Sequence, residues 1–187
     1  MRRGFKSQAE NISAELRDEL ELTLHQRLDC NELAEHLCIP VDPVTILVDW
    51  SASREAMARL LAPEMGFSAM TQYRGSRCRI FYNPTHSPAR TANSIAHELS
   101  HVILEHEPSR AIAADGTRSF DPDQEDEAEW QAGALLVPRE GALRWLSTGR
   151  SLTAGAKHFG VSVELFSWRA NQTGVVRQLQ RRARRAA

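Results

Sequence analysis

The chain has 187 residues and a formal net charge of −1, from 23 Lys and Arg against 24 Asp and Glu, with 42% hydrophobic residues. That length fits one domain, or one with a small appendage, able to hide roughly 70% of its unfolded surface without a disulfide or structural metal. The balance of charge argues against a whole-surface nucleic-acid or membrane binder, and no run approaches the ~18 apolar residues of a membrane span.

Three cysteines, Cys30, Cys38 and Cys78, form no CxxC pair. This points to a reducing cytoplasm rather than a disulfide framework. The opening MRRGFKSQAENISAEL is basic but lacks the apolar stretch of a secretory signal. In chain order, Ile12, Leu16, Leu20 and Leu24 recur about once per turn and predict a helix over 11–24. Asn31 reads as the cap of a short helix over 32–37, ended by Pro40. Residues 44–50 (VTILVDW) suit a strand or an extended connection, and 53–61 has helical composition.

From Met65 the texture changes. Residues 67–73 and 78–82 flank the Gly-containing turn 74–77 and predict a β-hairpin. A helix capped by Thr91 or Asn93 runs to about His106. Residues 108–123 read as a loop, and a second strong helix spans 124–137 before Pro138. Short helices follow near 141–146, 151–159 and 163–171. Arg177, Arg181, Arg182, Arg184 and Arg185 then crowd a basic tail, expected to be solvated and disordered. The division is an N-terminal helical region (1–64) packed on a core (65–140), a C-terminal helical segment (141–175) and the tail (176–187).

The chemistry concentrates in Ile95-Ala-His97-Glu98-Leu-Ser-His101. Residues four apart on a helix stand one turn above each other, so both imidazoles project from one face. Two neutral imidazoles so placed can share one Zn²⁺ at about 2.0–2.1 Å, and HExxH is a known zinc-metallopeptidase pattern. Glu98 lies one step round the helix, near enough to take a proton from a water that zinc has acidified to a pKa near ~7. A catalytic zinc needs a third protein ligand. In the 124–137 helix, Ala128, Ala132, Leu135 and Leu136 form the apolar stripe. Counting back three from Ala128 puts Glu125 on that face, while Glu127 lines up with Gln131 and Ala134. Glu125 is therefore the expected ligand, with Glu127 in reserve. Glu129 would accept the distal N–H of a ligand histidine. Small residues at 128, 132 and 133 would let the two helices approach closely.

With these residues in hand, the chain resembles the ImmA/IrrE family of metallo-endopeptidases over roughly residues 80–138. The shared stretches are IFYNP, Arg90 and Thr91, IAHELSHVILEH and EDEAEWQAGALLVP. Glu125, Glu127, Ala128, Ala132, Leu135, Leu136 and Pro138 fit the family's second signature. Glu129 departs where Asn or Asp is common, Gln131 stands for Phe and Val137 for Met. Trp130 is placed to fill the space left by the missing aromatic.

The resemblance implies a helix-rich α+β, gluzincin-like core with a small β-sheet and C-terminal short helices. It also implies a regulatory zinc endopeptidase acting on a separate helix-turn-helix repressor in stress or mobile-element control. Zn²⁺ is the expected ion, with Mn²⁺ as an alternative. The hairpin suggests substrate binding by strand addition, along 67–73 or 79–82. Tyr82, His86, His106 and His158 are candidate oxyanion donors, although His106 reads better as a cation at a helix C-terminus and His158 as a surface residue. Two rival functions remain: a DNA-binding regulator using 152–169 with the terminal arginines, and a zinc-binding interaction protein that does not cut, which Glu98 counts against.

Overall fold

The computed structural model describes residues 1–50, 53–63, 66–107 and 121–186. Residues 108–120 of the loop expected over 108–123, and the residue opening the hairpin region, Met65, lie outside them, whereas 122 and 123 belong to a helix. The fold is α+β, rich in helix, with a small mixed sheet.

Helix α1 spans Phe5–Glu19, earlier than the 11–24 expected. Phe5 and Ala9 are buried and extend the apolar stripe backwards, whereas Glu21 adopts a φ of 55° that ends the helix before Leu24. Helix α2, Cys30–His36, is capped by Asp29, whose side chain accepts from the Asn31 N–H; the cap is two residues earlier than predicted. Strand β1 covers Val41–Pro43. The apolar run after it is not a strand: residues Val44–Ile46 form a 3-10 turn and Leu47–Trp50 a short helix, α3. Proline has no N–H for a sheet ladder, so pairing stops at Pro43 and the chain folds over the sheet. Helix α4 is Arg54–Leu60, capped by Ser53.

Strands β2 (Ala69–Arg74) and β3 (Arg77–Tyr82) form the hairpin. Arg74 pairs with Arg77, and Gly75 takes the φ of 62° that this two-residue turn requires. Strand β1 runs parallel to β3 in the order β1-β3-β2. The central strand buries both its faces. Ile80 joins the main core, and Phe81 packs with Val44 and Met57 beneath α3 and α4.

Helix α5, Pro88–Ile103, begins earlier than expected because Ser87 caps it and Pro88 occupies the first turn, where a missing N–H costs nothing. Helix α6, Pro122–Leu136, is started the same way by Asp121 and Pro122. Helices α7 (Arg139–Ser147), α8 (Leu152–Phe159) and α9 (Val163–Gln172) follow the expected short helices.

The expected disordered tail is instead helix α10, Val175–Ala186. Its Arg, Ala, Leu and Gln residues are good helix formers. Val175 is fully buried and Leu179 packs against the core, so the segment is tied down along one side. The main core gathers Leu33, Ile80, Leu99, Leu135, Leu136, Phe159 and Phe166 between the sheet and the helices.

Candidate metal centre

Helix α5 lies between the sheet and α6. It buries Ile95, Ala96, Leu99 and Ser100, which turns the intervening His97, Glu98 and His101 toward the cleft as half-buried groups. Opposite them, α6 buries nearly every residue from Glu127 to Leu136. Its first turn emerges into the cleft and brings Glu125 to the histidines. His97, His101 and Glu125 offer one donor atom each, all within 4.8 Å of one another.

The separations can be tested against a metal. His97 Nε2 is 3.1 Å from His101 Nε2 and 3.2 Å from Glu125 Oε2, and His101 Nε2 is 3.6 Å from Glu125 Oε1. A tetrahedral site with bonds near ~2.0–2.1 Å has ligand–ligand edges of roughly 3.3–3.4 Å. The two edges from His97 fall just under that size, and His101 reaches the other carboxylate oxygen, Oε1, at 3.6 Å. Burial, reinforced by His97 and His106, pushes the His101 pKa down to about 4. The ring is therefore neutral near pH 7, with a lone pair to give. Two imidazoles and one carboxylate suit a divalent cation, and the residues present fit it.

Glu98 stands apart from the triangle. Its carboxyl accepts a hydrogen bond of 2.6 Å from Thr71 Oγ1 on β2. Burial raises its pKa, with the Thr71 bond working against that rise. A half-buried carboxylate with raised basicity is the kind of group that can take a proton from water. Thr71 is a site residue that sequence analysis missed. One threonine in a strand carries no local signal, and only the pairing of β2 beside α5 places it there.

Glu127 and Glu129 part company with the sequence expectation. Glu127, the reserve ligand, lies outside the donor triangle yet is buried. It accepts hydrogen bonds from the Arg2 backbone N–H at 2.8 Å and from Arg2 Nε at 3.0 Å. Burial opposes its charge, but Arg2 prevails and holds its pKa below the ordinary range. Glu129 is exposed, so it is not the partner of a ligand histidine. That position belongs to His106, whose Nδ1 is 3.0 Å from His101 Nδ1. Nor does His106 suit the role of an exposed helix-end cation: its side chain is 6% exposed and burial lowers its pKa against the opposing pull of Glu127.

Ala128 and Ala132 are buried in α6, but Gly133 faces α9: a Cβ there would meet Arg169 Cδ at 2.7 Å and the Trp168 ring at 2.9 Å. Trp130 is buried with Phe5, Ala9 and Ala134 in a side cluster of the core. His86 contacts the Asn83 amide at 3.2 Å. His158 lies at the surface, stacked on Trp145 with its Nε2 2.7 Å from the His25 carbonyl. Among the hairpin strands, β2 is at the sheet edge and β3 at its centre, so 67–73 and not 79–82 is open to strand addition.

Fold and site together present a candidate metal site of peptidase type, with paired helical histidines, a carboxylate from a neighbouring helix and a second carboxylate beside an edge strand. The IrrE N-terminal-like domain of the M78 peptidases matches residues 60–171. That match covers more than half of the chain, and the protein belongs to this family, the ImmA/IrrE metallopeptidases. No curated protein matches the chain with significant similarity. Among the described residues no helix is long and apolar enough to cross a membrane.

Proposed function

We propose that the protein is a zinc-dependent endopeptidase in which His97, His101 and Glu125 hold the metal and Glu98 is the general base. The observation that carries this reading is the convergence of His97, His101 and Glu125, whose contacts of 3.1–3.6 Å lie near the ligand–ligand spacing of a tetrahedral ion. When bound, zinc supplies a Lewis acid that polarises a carbonyl and acidifies water. Glu98 takes the proton from the attacking water and later delivers it to the leaving amine. Thr71 orients the Glu98 carboxyl for that transfer.

An extended peptide would lie along the outer edge of β2 and reach Glu98 through strand pairing, with side chains alternating toward and away from the cleft. The family resemblance supports a regulatory role in the cytoplasm, cleaving one protein such as a helix-turn-helix repressor. The test is mass spectrometry of repressors encoded nearby after incubation with zinc-loaded protein and with Glu98→Gln as control. Defined fragments from the parent alone are expected, and identical fragments from both would sink the assigned base. Zinc retention separates the ligands, since Glu125→Ala should lose more than Glu127→Ala.

One observation favours a second function. A groove of about 490 Å³ between α7 and α10 is lined by Arg139, Arg177, Arg181, Arg182 and Arg185, a lining suited to phosphates. Against sequence-specific reading of DNA, Arg169 in the α8–α9 pair is fully buried and Glu164 occupies the exposed start of α9. A salt-titrated shift assay on specific and random duplexes decides the matter. No sequence preference at any salt removes the DNA-binding regulator.

A further inference from the structure

His106 lies outside the HExxH spacing, yet the structure places it directly behind one of the metal-facing rings. The end of α5 explains how. Leu104 closes the helix, Glu105 adopts a φ of 53°, and the chain folds back on the last turn. The Glu105 N–H donates to the Val102 carbonyl at 3.1 Å and the His106 N–H to the His101 carbonyl at 3.0 Å. These are the paired bonds of a Schellman cap, whose second residue beyond the helix returns to the residue five positions earlier. Here those two residues are His106 and His101. Backbone and side chains therefore bind the same pair twice, with the rings 5.1 Å apart at an interplanar angle of 71°.

We infer that His106 is a positioning residue that fixes the tautomer and orientation of His101, with Glu127 and Arg2 holding His106 in turn. This rests on the metal-centre reading above and goes beyond it. The proton arithmetic leaves one arrangement. To present a lone pair at Nε2, where it faces His97 and Glu125, His101 must carry its proton on Nδ1. That N–H can donate to the His106 Nδ1 at 3.0 Å only if the latter nitrogen is bare. His106 must then be protonated at Nε2, which is buried without a hydrogen-bond partner and faces the Glu127 carboxylate at 3.7 Å, an electrostatic contact and not a hydrogen bond. Arg2 completes the line with bonds of 2.8 and 3.0 Å to Glu127. The chain of contacts thus joins the end of α5 to the first half of α6 and to the N-terminal segment. A ligand imidazole whose distal N–H is held in this way is more basic and better aligned. His97 has no such partner among the described hydrogen bonds, so the two ligand histidines differ in how firmly they are set.

The experiment measures zinc affinity by chelator competition in the parent, His106→Leu and His106→Asn, beside apo-protein melting curves. Leucine removes the acceptor; asparagine can place Oδ1 near the site of Nδ1 and accept the same bond. His106→Leu is expected to weaken zinc binding about 10–100-fold, the usual range for such partners, and His106→Asn to recover most of the loss. Unchanged affinity in His106→Leu would overturn the inference, as would equal losses in both variants. Should the leucine variant fail to fold, nitrogen NMR of the zinc-loaded parent decides alone: His106 must be bare at Nδ1 and protonated at Nε2, and the opposite tautomer overturns the proposal. Failure of the parent to bind zinc overturns the metal-centre reading and this inference with it. Tight parental binding with no response to His106 overturns only the latter.

Discussion

The two ends of α6 hold polar groups in opposite ways. At its start, Glu125 joins two imidazoles whose donor atoms face one another at 3.1–3.6 Å without a cation from the described residues among them. At its finish, the last carbonyls are capped. Ser13 donates to the Ala134 carbonyl at 2.8 Å, Arg17 to Leu135 at 2.8 Å and Arg169 to Val137 at 3.1 Å. Both arginines are fully buried. Arg17 spends its other donors on the carbonyls of Thr23 and Gln26, and Arg169 pairs with Glu10. Cations at a helix C-terminus complement its dipole and satisfy its orphan carbonyls. One end is a set of acceptors left facing one another; at the other, buried donors meet the last carbonyls, although Arg17 Nε and one terminal nitrogen of Arg169 make no hydrogen bond. The first pattern serves a ligand, and the second serves the fold.

The sharpest break of that contrast is to disable the first end without touching the second. Glu98→Gln should lower peptide hydrolysis by about 10²–10⁴-fold, the range for a lost general base, while metal content and melting temperature stay at parental values. Activity within a few-fold of the parent would assign the proton transfer elsewhere.

Disabling the second end should do the reverse. Glu10→Ala leaves the buried Arg169 without its carboxylate and should cost about 3–5 kcal/mol of stability in denaturant titrations. Zinc affinity of the folded fraction should be preserved. Arg17→Met takes the arginine donor from the Gln26 and Leu135 carbonyls, while that of Thr23 keeps the Gln26 N–H, and should cost about 2–3 kcal/mol. Either variant melting like the parent would mean that the capped end is not a stability device.

Thr71→Val probes the link between sheet and site. Valine suits a strand, so stability should hold, but loss of the hydrogen bond to Glu98 should reduce kcat/KM by roughly tenfold, in line with ~1.5 kcal/mol for a bond to a charged group. An unchanged kcat/KM would make that bond incidental.

The smallest effect concerns thiols. Burial pushes the Cys30 pKa up to about 12, so its thiolate is scarce near pH 8 and grows only at higher pH. Alkylation there should label the exposed Cys38 first, with Cys30 reacting on unfolding. Rapid labelling of Cys30 itself, located by peptide mapping apart from the partly exposed Cys78, would show that the contact between α2 and α5 opens readily.

Much of the active end was legible in the linear chain because its rules are local. The four-residue spacing of His97 and His101 depends only on helical pitch, and Glu125 followed from extending the α6 stripe by one turn. The misses have physical causes. Glu127 was counted off the apolar face, yet α6 is buried nearly all round, so a face pointing away from the core stripe meets Arg2 and His106 instead of water. Arg17 and Arg169 carried no signal in the sequence, because burying them requires carbonyls from distant helices. The tail looked disordered by charge alone, but Val175 and Leu179 anchor it.

By itself, then, the sequence determined most of the helices, the hairpin and the candidate residues that meet between α5 and α6. Periodicity, turn chemistry and capping act over a few residues and leave their mark in order along the chain. Tertiary structure alone decided that Thr71 would meet Glu98, that His106 would stand behind His101 and that Arg2 would neutralise Glu127. Those pairings bring together groups from separate elements, and the packing that selects among the many alternatives exists only once the core has formed.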